Sequence, residues 1–150
     1  MSAVILLHSI VRYFVLIFGI WAVVRAFSGV SGNKAFTPTD KRANTFFMIS
    51  CDIQLLLGLI LFFVNGWSKR FSEGMSTLMK DPFARFFTVE HTLGMLIAII
   101  LVHIGVSSIK KTASDNSKHK KVLIFSGIAL LLIIISIPWP FREVGRPWFQ

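Results

Sequence analysis

Four apolar runs dominate this chain, at residues 3–27, 45–65, 86–109 and 122–138. The hydrocarbon core of a bilayer takes about 20 apolar residues per helical span. Four spans with short connections therefore consume nearly all of the 150 residues. No separate soluble domain fits, and any function lies inside the bundle or on its rims. Hydrophobic residues make up 54% and charged residues 15%, against roughly 45–50% and about 25% in soluble domains. The expected fold is all-α: an integral membrane four-helix bundle of up-down-up-down connectivity, one transmembrane domain over residues 1–150.

The net charge of +9, from 16 Lys and Arg against 7 Asp and Glu, would suggest nucleic acid in a soluble chain. Here the cations sit in short connections between apolar runs, which is a membrane-topology pattern. The bilayer is the expected partner and nucleic acid is not. Loops one and three with their flanks hold nine cations: Arg25, Lys34, Lys41, Arg42, Lys110, Lys111, Lys118, Lys120 and Lys121. The opposite side holds six: Lys69, Arg70, Lys80, Arg85, Arg142 and Arg146. The positive-inside rule then puts both termini outside and loops one and three in the cytoplasm. The first run starts without Lys or Arg and is interrupted by His8 and Arg12, so it reads as a retained span rather than a signal peptide. The single Cys51 excludes intrachain disulfides, and the lack of Cys-x-x-Cys-His excludes c-type haem attachment.

Between spans two and three, Trp67, Phe71, Met75, Leu78 and Met79 recur at helical spacing, with Lys69, Arg70, Glu73 and Lys80 among them. That pattern predicts a short interfacial helix in the headgroup plane, ended by Asp81-Pro82; a plain loop is the alternative. Pro138 and Pro140 stop the last span, since proline supplies no amide donor.

Charged groups in lipid cost at least about 2.5–3.5 kcal/mol, so polar residues inside spans are functional candidates. Span one carries His8 and Arg12, span two Asp52 and Gln54, and span three Glu90, His91 and His103. His8 and His91 each lie about five residues into a span of the same direction, roughly 8 Å below the outer boundary. Helices one and three of such a bundle are diagonal neighbours. Two neutral imidazoles at matched depth are suited to act as the axial pair of a haem iron. Gly94 and Ala98, on nearly the same helix face as His91, would leave space for a flat macrocycle. Arg142, Arg146 and Arg85 at the rim would meet its propionates. The competing readings are a small-xxx-small packing motif for Gly94 and Ala98 and interfacial hydrogen bonding for each histidine.

His103 lies about 18 Å deeper than His91 and about 120° round the helix, so it cannot share their iron and reads as an interhelical hydrogen-bond partner. Arg12 needs a carboxylate. Asp52 and Glu90 are the candidates, giving a buried polar cluster of Arg12, Asp52 and Glu90. This is either a structural ion pair or a polar track for protons or a quinone headgroup.

The segments LHSIVRYFVLI, DIQLLLGLILFF, MKDPFARFFTVEHTLGMLIAIIL, KHKK and IPWPFREVGRPWF resemble those of small bacterial four-helix membrane proteins labelled cytochrome b-like. The resemblance implies a bacterial inner-membrane protein with b-type haem and a role in electron transfer. His8 and His91 are the positions that match. Larger di-haem relatives use four core histidines, and this chain offers three, so one haem is expected. The leading expectation is a membrane electron carrier, or a subunit of a redox complex with membrane protein partners, holding one haem b near the outer leaflet. The alternatives are a non-catalytic accessory or scaffold subunit and a small quinone- or proton-handling membrane protein.

Overall fold

The structure, a computed structural model, describes residues 2–149, which fold as helices joined by short connections. The long helix α1 spans Ser2–Ser31 and α2 spans Pro38–Val64. A 3-10 turn at Trp67–Glu73 and the short helix α3, Met75–Lys80, follow. The third long rod begins as α4, Pro82–Arg85, passes through a π-helical turn at Phe86–Glu90, and continues as α5, His91–Lys110. The last helix, α6, covers Asp115–Ser136. Four of these rods are long and apolar enough to cross a membrane. Their outward surfaces carry Ile17, Leu56, Phe27 and Ile100 more than half exposed. Such surfaces are stable against acyl chains rather than water, and the chain is a multi-pass membrane protein.

Local chemistry sets the helix ends. Thr37 caps α2, accepting from the Asp40 amide while the Asp40 carboxylate accepts from the Thr37 amide at 2.7 Å, and Pro38 fills the first turn. This is a capping box, in which two otherwise unpaired donors are satisfied reciprocally. Arg25 near the end of α1 donates to the same Asp40 at 2.7 Å, so the connection clamps α1 against α2. Ser114 caps α6 through the Ser117 amide. The interfacial segment differs from the single helix expected. Gly74, at φ +93°, takes a left-handed conformation that breaks it into the 3-10 turn and α3. Asp81 does not merely end that segment. Its carboxylate accepts from the Phe83 and Ala84 amides, both at 3.0 Å, and so starts the third long rod.

The four long helices form a ring in which α1 packs on α2 and α6, and α5 packs on α6 and, more lightly, on α2. Helices α1 and α5 are therefore diagonal across the core. Val15, Phe47, Cys51, Ala98, Val102, Ala129 and Ile133 fill the centre. Glycines set the closest approaches: a Cβ on Gly94 would collide with the Ser136 hydroxyl, and one on Gly29 with the His119 ring. Small residues at these crossings let backbones approach, the main source of packing energy between helices in lipid. One end of the ring carries the basic connections around Lys34 and Lys111. The other carries Trp67, Phe83, Phe87, Trp139 and Trp148 and is called here the aromatic end.

Candidate functional site

At the aromatic end the ring does not close completely, and a cavity of about 200 Å³ runs between the four long helices. Its walls combine apolar side chains such as Leu55, Phe62, Met95 and Ile133 with polar ones that include His8, Arg12, Gln54, His91 and Arg146. A mostly apolar pocket with a small number of convergent polar groups is the usual form of a ligand or cofactor site.

His91 stands at the junction of the π turn and α5. The His91 amide bonds back to the Phe86 carbonyl, one residue farther than in an α-helix, and the Thr92 hydroxyl donates to the Phe87 carbonyl at 3.0 Å. The extra residue re-aims the side chains that follow, and such turns often mark functional positions. The Nδ1 atom of His91 lies 2.8 Å from the Ser136 carbonyl at the end of α6. A carbonyl only accepts, so Nδ1 carries the proton, and the neutral ring keeps its lone pair on Nε2. This is the second-sphere anchor that metal-bound histidines use to fix tautomer and ring orientation. The rings of Phe86 and Phe87 flank His91 at centroid distances of 5.9 and 6.2 Å.

His8 enters the same cavity from the diagonal helix. Gln54 of α2 donates to the His8 carbonyl at 3.0 Å. Gly58, one turn farther along α2, faces the His8 ring, and even an added methyl there would reach van der Waals contact at 3.4 Å. Among the described residues, five buried side-chain polar atoms have no hydrogen-bond partner, and three of them belong to this cavity: His8 Nδ1, Arg12 Nε and Gln54 Oε1. Buried polar atoms are nearly always satisfied, so their clustering here fits a site built for a polar or metal-bearing guest. No three His, Cys, Asp or Glu side chains converge on one metal position among the described residues.

Arg12 corrects one expectation. Its Nη2 donates to the Trp148 carbonyl at 2.6 Å and lies 3.3 Å from the Tyr13 hydroxyl, which itself donates to the Trp148 carbonyl at 3.0 Å. The cluster of Arg12, Asp52 and Glu90 does not form. Asp52 turns away from α1 and meets His103 of α5, Oδ1 to Nε2 at 3.3 Å. Glu90 sits on the outside of the π turn and pairs with Arg85 at 2.7 Å. The guanidinium found a carbonyl because the C-terminal tail folds back over the end of α1. Among the described residues no carboxylate pairs with it at the cavity wall.

Three further expectations change. Gly94 does not line the cavity; it abuts Ser136, so the packing reading of Gly94 and Ala98 holds and the space beside a histidine comes from Gly58 instead. Arg142 donates to the Ile135 and Ile137 carbonyls at 2.6 and 3.2 Å, satisfying the last turn of α6. Arg85 is held by Glu90. Of the rim arginines, only Arg146 reaches the cavity, with its guanidinium 4.9 and 5.0 Å from the ring centroids of Phe83 and Phe87. Trp67 stacks on Phe87 at 5.3 Å and completes that lid. Gln54 is legible in the sequence as a polar residue in a span; nothing in the sequence marks Gly58, Trp67 or Phe87 as part of this wall.

Neither protein-family models, nor curated proteins, nor solved structures gave a match to this chain.

Proposed function

We propose that the cavity holds one haem b between His8 and His91, and that the protein is an electron carrier or redox-complex subunit of a bacterial cytoplasmic membrane, with both termini outside. The observation that carries this reading is the pair itself. Two histidines from diagonal helices line one apolar cavity, one with Nδ1 anchored on the Ser136 carbonyl and the other with a buried, unpartnered Nδ1. His8 and His91 would hold the iron, and Gly58 leaves room beside His8. Arg12 and Arg146, the two cations on the cavity wall, would meet the propionates. Bound there, the group supplies one-electron exchange between ferrous and ferric iron. The chain's own part is to orient His91 through Ser136, to exclude water behind Trp67, Phe83 and Phe87, and to set the local potential with Arg12.

The test is a reduced-minus-oxidised spectrum of the protein purified in mild detergent after haem-sufficient expression. The wild type should show b-type absorption bands. His8→Ala and His91→Ala should each abolish or strongly shift them, and His103→Ala should leave them unchanged. Absence of bands in the folded wild type would sink the proposal.

A further inference from the structure

A second hollow, of about 360 Å³, lies on the outer surface of the bundle between α1 and α2. Val11, Phe14 and Phe18 form one bank and Phe46, Ile49 and Ile53 the other. Ser50, the polar residue among its walls, already donates its hydroxyl to the Phe47 carbonyl at 2.8 Å. The groove therefore offers a guest apolar surface and no free polar side chain. Phe14, Phe46, Ile49 and Ile53 are exposed, so in a membrane it opens onto acyl chains. Its end nearer the basic rim is aromatic: Phe18 meets Phe46 at 5.4 Å between ring centroids, and Trp21 lies 6.4 Å from both. Positions 42, 46, 49 and 53 share one face of α2, so Arg42 heads this bank, about 6 Å nearer the basic end than Phe46. Arg42 is exposed and makes no ion pair among the described residues. Arg25 heads the opposite bank on α1 but is paired with Asp40 at 2.7 Å. The basic end holds nine cations and two carboxylates, Asp40 and Asp115, and both carboxylates are already engaged.

We infer that the α1–α2 groove binds one phospholipid of net negative headgroup, a phosphatidylglycerol, with an acyl chain along the aromatic banks and its phosphodiester on Arg42. The groove sets the shape of the guest and the arginine above it sets the charge. A guanidinium fork matches two phosphate oxygens, which a lysine at the same place would meet only as a point charge. Phosphatidylethanolamine carries the same phosphate, but its ammonium would stand among Arg42, Lys41 and Arg25 with both nearby carboxylates taken. The uncharged glycerol headgroup brings no such repulsion, and basic clusters at helix ends attract anionic lipids for this reason. Trp21 lies between the groove and the arginines, the level at which tryptophan meets headgroups. The inference is independent of the haem proposal, whose cavity lies at the other end of the ring.

The experiment uses the full chain in phosphatidylcholine vesicles that contain a minor fraction of a second lipid with brominated acyl chains, either phosphatidylglycerol or phosphatidylethanolamine. Bromine quenches nearby tryptophan, and the difference between the wild type and Trp21→Phe isolates the signal of Trp21. At equal fractions, brominated phosphatidylglycerol should occupy the groove roughly fivefold more strongly than brominated phosphatidylethanolamine, the effect of one cation facing an anionic headgroup. Arg42→Gln should erase that preference, and Arg42→Lys should keep most of it. Lys110→Gln with Lys111→Gln, a larger loss of charge at the same end but away from the groove, should leave it intact. Equal quenching by the two lipids overturns the proposal, as does a preference that survives Arg42→Gln or vanishes with the lysine pair. A preference abolished by an excess of free glycerol phosphate overturns it too, since the site would then hold a headgroup without its chains. If neither lipid quenches Trp21, a second copy of the chain fills the groove and the proposal fails.

Discussion

At the basic end of the bundle His119 shows how closely single residues are fitted. Its ring is 1% exposed, lies against Gly29 of α1, and meets the Phe36 ring at a tilt of 59° with centroids 5.0 Å apart. A larger side chain at position 29 has nowhere to go, since the imidazole behind it is enclosed. Gly29→Leu should lower thermal stability in detergent by about 1–3 kcal/mol, the usual range for overpacking. Gly29→Leu combined with His119→Ala should recover most of the loss, and a double variant no more stable than the single one would show that the strain lies elsewhere. His119 stands in the sequence within a basic stretch, Lys118 to Lys121, and nothing in that stretch marks it as buried. His8 and His91 were legible for the opposite reason: each interrupts an apolar run, so counting residues from the start of the run gives its depth. The partner of Arg12 was not legible, because the Trp148 carbonyl lies 136 residues away in a tail without periodicity.

Among the elements, the π turn decides how the aromatic lid meets the cavity. The sequence FFTVEH carries no residue that distinguishes this turn from ordinary helix, so only the apolar run and its polar interruptions could be read there. Deleting Thr88, a buried residue of the turn, would return the rod to regular α-helical bonding. Everything before the deletion would then rotate by about 100° relative to α5. Phe83 and Phe87 would leave Trp67 and Arg146. The expected outcome is unchanged helicity by circular dichroism with red-shifted tryptophan emission and, under the haem proposal, weakened b-type absorption. Emission and absorption that match the wild type would mean that the turn has no part in building the site. The long rods themselves were legible from apolar length alone. Their outer limits were less so, because capping by Thr37, Asp81 and Ser114 carries each helix past the edge of its apolar run.

For the whole molecule, the four-helix ring and the C-terminal tail have separable duties. The ring is held by its core of Val15, Phe47, Ala98, Val102 and Ala129, while residues 139–149 mainly cover the aromatic end. Removing residues 139–149 should leave helicity nearly intact but strip Arg12 of its carbonyl and open the cavity. A cysteine introduced at the cavity-lining Ile5, again with Cys51→Ala, should then react severalfold faster with a water-soluble maleimide. Labelling as slow as in the full-length chain would show that the tail is not a wall of the site.

The contact between Arg12 and the Trp148 carbonyl also imposes an order of events during biosynthesis. The cation enters the membrane with the first helix, yet its partner lies 136 residues further along and is made only after all four spans. Throughout insertion of the other three spans Arg12 must be solvated by water or headgroups at the outer margin, so the first helix is held near the surface until the tail arrives. Closing the aromatic end over Arg12 accordingly follows insertion of the fourth span.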